Sequence, residues 1–550
     1  MATIDTKLEK IKTSLNKPEL TLEQLEEILF EFGLEIDTYN PKTDEIKIEI
    51  TAERTDLLSY EGLIRALKGY MGIEKCPTYK VNESGLKVIV NQEVIDYNKT
   101  YTLSAIIKDI TLDQEKLKEI INFQEKLHLT YGRKRKAIAM GIYPLDKIKF
   151  PIYLLCKKPE EISFIPLGET NQMTADEILK NHPTGKEYAH LFEDKKKYTI
   201  FKDSDNQILS MPPIINSANT GRVTEKTKDL FIECTGNNLY KMEKAINMIV
   251  TMLADIGGKI YSLEISYPEK KIISPTLTPE KKIVSLKYMN KLLGTNIEID
   301  TAIKILEKML YTCKKIDKDK IEISIPPFRT DVLHDNDIAD DLGRGFGFSN
   351  IPLRTPKIVT IGGKDETSIK QENIITIMTN MGFQEIMGMS LGSKKECFEN
   401  FNIIGTDYIA LGDTKEQSLN IITNWLTPKL LKTLINNQHR KFPQKIFSCD
   451  YIVKANPKKD VRSDTILHTA GMIANYKTSF SEIASVLLTL CNTLGLNLKL
   501  EKENYPYYIK GRGAKITINN KECGSIGELS PLVLEKNSYH NPVCVFEIEI

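Results

Sequence analysis

Four aspartates in the second half of the chain have the spacing of a metal-binding cluster. Asp337, Asp340 and Asp341 stand at positions i, i+3 and i+4, which places three carboxylates on one face of the helix predicted there. Asp331 precedes that helix, in the turn that leads into it. Clustered carboxylate oxygens are the ligands that Mg²⁺ takes together with water. The spacing leaves a second explanation open, since acidic residues also favour the positive end of a helix dipole.

These aspartates lie in the second copy of a sequence repeat, which predicts the elements around them. Residues 45–73 align without gaps to residues 320–348 at a constant offset of 275, and nine of the 29 aligned pairs are identical. In both copies alternating isoleucines predict a half-buried strand, and the residues after a shared Arg-Thr-Asp predict an amphipathic helix that ends near a glycine. The repeat therefore predicts two small α+β modules.

A helix is also predicted before each of these strands. The segments are LEQLEEILFEFG (22–33) and DTAIKILEKMLY (300–311), the second with Asp300 as its N-cap. Where the second copy has its three helical aspartates, the first copy has Gly62, Arg65 and Ala66. Only the second module can therefore form the acidic cluster.

Two further segments lie between the repeats. GRKRKAIAMGIYPLDKI (132–148) begins with the basic run Arg133–Lys136 and passes into a short apolar strand. Such a run can bind phosphates, but it is more typical of a solvated surface.

The second segment, SMPPIINSANTGRV (210–223), has two prolines that stiffen the chain before a group of short polar side chains. This pattern suits a binding site, although the same residues also build ordinary turns. Downstream, DLFIECTGNN (229–238) predicts a strand that ends at Thr235 and Gly236. KMEKAINMIVTMLADIGG (241–258) then predicts an amphipathic helix closed by glycine.

Several kinds of chemistry are excluded by what the sequence lacks. It contains no GxxxxGK[ST] loop, no GxGxxG after a strand, no HExxH and no CxxC. The 75 Lys and Arg balance the 74 Asp and Glu, so any nucleic-acid contact must come from local patches. No run of about 18 apolar residues predicts a membrane span. The nine scattered cysteines favour a reducing cytoplasm.

Four stretches, in this order, resemble one known family. They are RTDLLSYEGLIRALKGYMGI, GRKRKAIAMGI, SMPPIINSANTG and PPFRTDVLHDNDIADDLGRGFGFSNI, and the closing GSIGELSPLVLEKNSYHNPVCVFEIEI continues the match. The chain resembles the beta subunit of phenylalanyl-tRNA synthetase, of the type found in archaea and the eukaryotic cytosol. The resemblance spans essentially the whole chain.

This resemblance implies a heterotetramer of two alpha and two beta subunits that binds phenylalanine tRNA. The alpha subunit activates phenylalanine with ATP, and the beta subunit adds an editing module, repeated small domains and a catalytic-like domain. Residues 355–550 contain neither an FRxE-like motif nor a glycine-rich segment ending in an ATP-binding arginine. This chain is therefore predicted not to activate an amino acid.

The predicted fold is α+β and multidomain. It comprises a first small module (1–84), a central editing domain of mixed α/β structure (85–275), a second small module (276–354) and an inactive, class II synthetase-like antiparallel sheet domain (355–550). Carried over by position, the resemblance makes the four aspartates of the second module magnesium ligands. Asp340 stands where the family commonly has glutamate.

The resemblance also implies an editing pocket in which tyrosine mischarged onto phenylalanine tRNA is hydrolysed. Ser210 and Asn216 are the predicted contacts, and Thr235 and Gly236 the predicted lining. One departure is that Tyr143-Pro-Leu-Asp stands where the family usually has a His-Asp-Leu-Asp-like run. A non-catalytic scaffold that has lost editing is therefore an alternative. A second alternative is a free-standing editing hydrolase, but the large inactive C-terminal domain argues against it.

Overall fold

The computed structural model describes residues 2–356, 358–405, 408–412, 414, 416 and 418–550. The chain divides into two compact units, Met1–Thr355 and Pro356–Ile550. Three of the four predicted domains fall within the first unit, so the boundaries between them stay predictions.

The first unit begins with a small three-stranded module. Its elements are β1 (Ala2–Lys7), α1 (Leu8–Leu15), α2 (Leu22–Phe32), β2 (Glu35–Asn40), β3 (Glu45–Ile50) and α3 (Tyr60–Tyr70). The antiparallel sheet has the order β1-β3-β2. Ile46, Ile48 and Ile50 are at most 1% exposed, which confirms the predicted half-buried strand. Helix α2 starts with a capping box of Thr21 and Gln24.

A ten-stranded mixed sheet forms the centre of the first unit. Its helices are α4 (Gln92–Asn98), α5 (Gln114–Leu129), α6 (Ala175–Asn181), α7 (Pro183–Tyr188), α8 (Ala218–Gly221) and α9 (Leu239–Asp255). Its strands are β4 (Val81–Val90), β5 (Tyr101–Lys108), β6 (Ile138–Pro144), β7 (Ile152–Lys157), β10 (Tyr198–Lys202), β11 (Ile208–Met211), β12 (Ile215–Asn216), β13 (Leu230–Gly236), β14 (Lys259–Ser266) and β15 (Lys271–Ser274), and a separate pair is formed by β8 (Ser163–Phe164) and β9 (Met173–Thr174).

The strand order of the central sheet is β12-β11-β10-β7-β4-β14-β5-β13-β6, with β15 paired to β14. Strand β4 runs parallel to β14 and β7, and the other pairs are antiparallel. Strands β6 and β13 confirm the short apolar strand predicted within residues 132–148 and the strand predicted to end at Thr235 and Gly236. Helix α9 differs from the expected amphipathic helix, because it is buried on nearly every side. Its buried residues include Lys244, which forms an ion pair with Glu280.

The second module repeats the topology of the first. Its elements are β16 (Glu280–Ser285), α10 (Leu286–Leu293), α11 (Ile299–Lys308), β17 (Thr312–Lys315), β18 (Lys320–Ile325) and α12 (Asp335–Phe346). The sheet order β16-β18-β17 corresponds to β1-β3-β2. The N-cap prediction was wrong: α11 follows Glu298, and Asp300 lies in the first turn, paired with Lys315.

The two modules contact each other through equivalent residues. Thr55 Oγ1 lies 2.8 Å from Thr330 Oγ1, and these threonines are partners in the 275-residue repeat. A side chain at Gly33, after α2, would collide with Arg344 on α12, and a side chain at Gly69 on α3 would collide with Leu310, after α11. Reciprocal contacts of this kind define an approximate twofold axis through the threonine pair.

The second unit is a seven-stranded sheet between helices. Its elements are α13 (Glu366–Asn380), β19 (Gln384–Glu385), β20 (Leu391–Gly392), α14 (Lys394–Cys397), β21 (Ile421–Ile422), α15 (Thr427–Asn436), β22 (Gln444–Ala455), β23 (Ser463–Ala474), α16 (Phe480–Thr493), β24 (Leu498–Lys502), β25 (Tyr508–Ile518), β26 (Lys521–Leu529), α17 (Pro531–Lys536) and β27 (Val543–Glu549). The order is β19-β22-β23-β27-β26-β25-β24, antiparallel except for β19 beside β22.

Both faces of this sheet are covered. Along β27, Phe546 and Ile548 join the apolar cluster of α13 and α16, whereas Val543 and Val545 join that of α15 and α17. The alternation is that of a strand buried on both sides. No described helix is both long and apolar enough to cross a membrane.

Candidate functional site

A cavity of about 240 Å³ opens in the first unit among β6, β12, β13 and α5. Its polar lining residues are Gln124, Glu125, Arg135, His182, Thr184, Asn216 and Glu233. The other walls are Ala139, Met140, Leu167, Pro212, Pro213, Ile214 and Ile215. Pockets for drug-sized ligands measure roughly 300–1,000 Å³, so this volume suits a group about as large as one amino-acid side chain.

The register of β6 and β13 builds the inner end of the cavity. Glu233 lies opposite Gly141, and Phe231 lies opposite Tyr143, whose ring packs on it with centroids 5.7 Å apart. A Cβ at Gly141 would lie 2.5 Å from Tyr143 Oη and 2.6 Å from Glu233 Oε1. Position 141 must therefore be glycine for the Tyr143 hydroxyl and the Glu233 carboxyl to meet above it.

The Tyr143 hydroxyl is the centre of a buried polar cluster. Tyr143 Oη lies 2.8 Å from Ser210 Oγ, 3.2 Å from Asn216 Oδ1 and 3.2 Å from Glu233 Oε1. A phenol has one proton to donate and accepts through its lone pairs, so one of these groups accepts while another donates to it. The cluster thereby connects three strands, β11, β12 and β13, to β6.

Glu233 is the buried acid of the cavity. Its side chain lines the cavity, the residue is 2% exposed, and Oε2 has no hydrogen-bond partner among the described residues. Burial raises the pKa of Glu233 to about 8, against the opposing effect of the hydrogen bond from Tyr143. At neutral pH the carboxyl group is therefore protonated, and it can donate a hydrogen bond as well as accept one.

The structure brings together two of the four residues predicted for the pocket. Asn216 lines the cavity, and Ser210 lies behind it, bonded to Tyr143. Thr235 Oγ1 faces the carbonyl of Ala139 at 3.5 Å, and Gly236 pairs with Ile138 at the end of β13. Neither Thr235 nor Gly236 is among the lining residues of the cavity.

Sequence reasoning missed Glu233 and treated Tyr143 only as a departure from the family pattern. A signal for Glu233 was present, because it is the one charged residue within the apolar strand LFIECTG. A buried acid is costly unless it is neutral or has a partner, so its position in a core strand indicates a functional group.

The basic run at residues 133–136 has two kinds of surroundings. Arg133 and Lys134 are exposed, as expected for a solvated surface. Arg135 turns inward and donates hydrogen bonds to the carbonyls of Pro213 (3.3 Å) and Ile214 (2.8 Å) and to the carboxylate of Glu125 (3.0 and 3.2 Å). Arg135 therefore fixes the proline turn that forms one wall of the cavity.

The Arg-Thr-Asp motif of the repeat forms the same ion pair in both modules. Arg54 Nε and Nη2 donate to the two oxygens of Asp56, each at 2.9 Å. Arg329 donates in the same way to Asp331, at 2.8 and 2.7 Å. Each arginine thus makes a bidentate contact two residues along the chain, which is the structural reason for the shared motif.

The remaining aspartates of the predicted metal site also have partners of their own. Asp341 accepts from Arg329 Nη2 (2.7 Å) and from the Tyr311 hydroxyl (2.5 Å). Asp337 caps α12 by accepting from the backbone N–H groups of Leu333 and His334, and Asp340 accepts from Arg344 (2.8 Å). The position of Asp337 is therefore explained by the favourable interaction of an acidic residue with the N-terminal end of a helix.

As they stand, these four carboxylates do not fit a magnesium ion. No three His, Cys, Asp or Glu side chains among the described residues are grouped so as to hold a metal. Although burial opposes ionisation, Arg329 lowers the pKa of Asp331 to about 2, which shows how strongly the arginine holds that carboxylate. A bound Mg²⁺ would have to displace Arg329, so the magnesium site stays a prediction.

We expect that removal of Mg²⁺ with EDTA leaves the Tm of the purified chain unchanged, because arginine, tyrosine and backbone donors already satisfy the four aspartates. Differential scanning fluorimetry across a Mg²⁺ titration measures this. Asp331→Asn serves as the reference, since it lowers Tm whether or not the metal is present. A Tm that rises with Mg²⁺ in the native chain, but not in Asp340→Asn, would contradict the expectation.

Comparisons with known proteins match this architecture. The chain matches the Phe-tRNA synthetase beta subunit B1 domain over residues 1–73, the B3/4 domain over 107–258, the tRNA synthetase B5 domain over 283–348 and the phenylalanyl tRNA synthetase beta chain CLM domain over 351–550. The cavity lies in the B3/4 match, and the four aspartates lie in the B5 match.

Individual relatives agree with the domain matches. The phenylalanine--tRNA ligase beta subunit of Pyrococcus furiosus is 34% identical over 534 residues, which cover 96% of both chains. That of Methanocella arvoryzae is 34% identical over 540 residues, covering 97% of this chain and 96% of the relative. A crystal structure of an N-terminal fragment of the Pyrococcus horikoshii beta subunit is 37% identical with a TM-score of 0.59, and the match covers 62% of this chain and 99% of the fragment.

These matches define a multidomain α+β subunit of an aminoacyl-tRNA synthetase. The chain belongs to the family of phenylalanine--tRNA ligase beta subunits, which confirms the resemblance seen in the sequence.

Proposed function

We propose that this chain is the beta subunit of a phenylalanine--tRNA ligase and that its cavity hydrolyses tyrosine mischarged onto phenylalanine tRNA. The observation that carries the proposal is the cavity itself, whose lining combines apolar side chains with polar ones that include Asn216 and Glu233. Apolar walls accept an aromatic ring, and the polar end offers hydrogen bonds to a phenolic hydroxyl.

Editing of this kind compensates for the limited discrimination that the charging reaction can achieve. An apolar pocket rejects an added hydroxyl only about a hundredfold, so a site that binds phenylalanine admits some tyrosine. A second site built to hydrogen-bond that hydroxyl discriminates in the opposite direction, because phenylalanine leaves its buried polar groups without a partner.

The cavity's own side chains bind and orient the substrate and do not attack it. Ser210 is bonded behind the cavity wall to Tyr143. His182 Nδ1 accepts from the Thr184 N–H at 3.2 Å, which leaves Nε2–H to donate to the carbonyl of Leu167. An aminoacyl ester is labile, so a positioned water attacks its carbonyl and the tRNA hydroxyl leaves. Asn216, on the short strand β12, holds the substrate during this step.

We expect Asn216→Ala to slow the hydrolysis of tyrosyl-tRNA about tenfold or more, since one hydrogen bond to the substrate is lost. Charging of phenylalanine by the complex with the alpha subunit stays unchanged. The matched control is Asn219→Ala, which truncates an exposed asparagine three residues further along. Full hydrolysis by the Asn216→Ala complex would remove this residue from the site.

Family membership supports the proposed partners and cofactor. The proposed assembly is an alpha2beta2 tetramer that binds phenylalanine tRNA, its alpha subunit uses ATP, and Mg²⁺ is the proposed cofactor. All nine cysteines of the chain are free, which supports the predicted cytoplasmic location. The second unit serves as a docking and structural domain, since helices cover both faces of its sheet and residues 355–550 lack the activation motifs.

A second candidate function has one specific observation in its favour. Tyr143 stands in place of the first residue of the family's His-Asp-Leu-Asp-like run, and its hydroxyl already occupies the centre of the polar cluster. A chain that has lost hydrolysis would be a structural, tRNA-binding scaffold. Such a chain supports charging with its partner but leaves tyrosyl-tRNA intact.

A further inference from the structure

We propose that the rim loop, residues 132–136 between α5 and β6, is a phosphate clamp in which Arg133 and Lys134 bind the RNA backbone beside the cavity. This proposal rests on the proposed editing function and names the part of the chain that holds the end of the RNA. An aminoacyl group in the cavity is esterified to the last nucleotide of the tRNA. The phosphates before that nucleotide must therefore lie along the rim of the cavity.

The rim loop is attached directly to the cavity wall. Arg135 lines the cavity, and so does Ala139 near the start of β6. Consecutive Cα atoms are about 3.8 Å apart, so the Cα atom of Arg133 lies at most about 7.6 Å from that of Arg135. The side chains of Arg133 and Lys134 therefore start beside the cavity, where the RNA must leave it.

The backbone of the rim loop is strained. Arg133, Lys134 and Arg135 have φ angles of 50°, 54° and 63°, which lie in the left-handed region. Residues other than glycine rarely adopt this conformation, because Cβ comes too close to the following carbonyl oxygen. Strained residues of this kind cluster at ligand-binding sites, and an ordinary solvated turn does not need three of them in succession. The strain therefore points to a function for the loop.

Two residues of the loop fix its conformation. The Arg135 guanidinium is bonded to the proline turn and lies over the Tyr188 ring, with Cζ 4.5 Å from the ring centroid. A Cβ at Gly132 would lie 2.7 Å from each of two backbone carbonyl oxygens, so position 132 must be glycine. Because both of these residues are held, the backbone of Arg133 and Lys134 between them is fixed beside the cavity.

The outward cations of the loop are available to a ligand. Arg133, Lys134 and Lys136 are exposed, and none of them forms an ion pair within the part of the chain that the structure describes. Arg135 differs, since it pairs with Glu125 at 3.0 Å. The net charge of the whole chain is only +1, so an RNA contact must come from a local patch such as this one. Lysine and arginine bind phosphates with release of counterions, which makes the binding dependent on salt.

The test compares two stable ligands that differ only in their RNA backbone. One is 3′-deoxy-3′-amino-adenosine that carries tyrosine as an amide, and the other has the same amide at the 3′ end of a short single-stranded RNA. Calorimetry measures the affinity of both for the complex with the alpha subunit. We expect the RNA to bind more tightly than the nucleoside. Two phosphate contacts predict that this advantage falls about sevenfold from about 50 mM to about 200 mM salt.

The variants separate the charges of the loop from its conformation. Arg133→Asn/Lys134→Asn removes both charges, and asparagine tolerates the left-handed conformation, so the fold is kept. In this variant we expect the advantage of the RNA to be lost and the affinity of the nucleoside to be unchanged. Arg133→Lys retains the advantage, because the charge remains. The matched control, Lys7→Gln/Lys118→Gln, removes two exposed lysines from a different groove of the first unit and also retains it.

Binding distinguishes this proposal from the proposed hydrolysis. Loss of the advantage in Arg133→Asn/Lys134→Asn supports the clamp even if the native complex hydrolyses no tyrosyl-tRNA. Where hydrolysis occurs, the same variant is expected to raise KM for tyrosyl-tRNA and to leave kcat nearly unchanged. Equal advantages of the RNA in the native complex and in this variant overturn the clamp, even if hydrolysis is rapid. Equal affinities of the RNA and the nucleoside for the native complex also overturn it.

Discussion

Arg329→Met is expected to destabilise the first unit by about 3–5 kcal/mol. The Arg329 side chain is 2% exposed and neutralises Asp331 and Asp341 at once, with N···O distances of 2.7 Å. Removing the arginine takes the ion-pair partner from the buried Asp341 and the bidentate partner from Asp331. Hydrogen exchange of peptides from the first unit under increasing urea measures the loss.

The chain offers good controls for this experiment. Arg222→Met makes the same change at an exposed arginine and is expected to be nearly neutral. The single tryptophan, Trp425, belongs to the second unit and reports on that unit separately. Adding Asp331→Asn and Asp341→Asn to Arg329→Met is expected to recover part of the stability. A loss below about 1 kcal/mol in Arg329→Met would mean that the network behaves like a surface ion pair.

The second large effect is a pH dependence at Glu233. Its folded-state pKa of about 8 lies above the ordinary value of 4.5, so the folded protein binds this proton more tightly than the unfolded chain does. The resulting stability is fully present below about pH 4.5 and is lost as the pH rises through about 8. Relative to the native chain, Glu233→Gln is therefore expected to gain about 1.4 kcal/mol for each pH unit in that window.

Unfolding of both proteins in urea from about pH 5 to about pH 8.5 measures this difference. The ionisable groups around Glu233, namely Tyr143, Glu125, Arg135 and His182, are the same in both proteins. Burial also raises the pKa of Glu61 to about 8, and the comparison at each pH removes its contribution. A difference in stability that does not change with pH would show that Glu233 is not a buried neutral acid.

The parts of the fold that were predictable are those with local periodicity. Alternating isoleucines at positions 46, 48 and 50 were sufficient to predict strand β3, and the repeat at an offset of 275 residues was sufficient to predict its counterpart β18. The repeat did not reveal that the modules pack on each other through Thr55 and Thr330, since that contact joins residues far apart in the chain.

The four aspartates show what the spacing of residues leaves out. Asp337, Asp340 and Asp341 lie on one face of α12. Asp337 and Asp340 are bound by groups of this helix or of the residues just before it, whereas Asp341 is bound by Arg329 and Tyr311, which lie outside it. Composition of one helix contains no information about such partners. The same holds for the cavity: the sequence marks Glu233 as unusual in an apolar strand, but it does not reveal the contact between Glu233 on β13 and Tyr143 on β6.

The most direct test of the central claim is the time course of deacylation of tyrosyl-tRNA and phenylalanyl-tRNA, both on phenylalanine tRNA, by the complex of this chain with its alpha partner. The proposal predicts that the tyrosyl ester is hydrolysed far faster than its spontaneous rate while the phenylalanyl ester survives. If neither ester is hydrolysed by a complex that still charges phenylalanine, the proposal is contradicted and the chain is a structural scaffold.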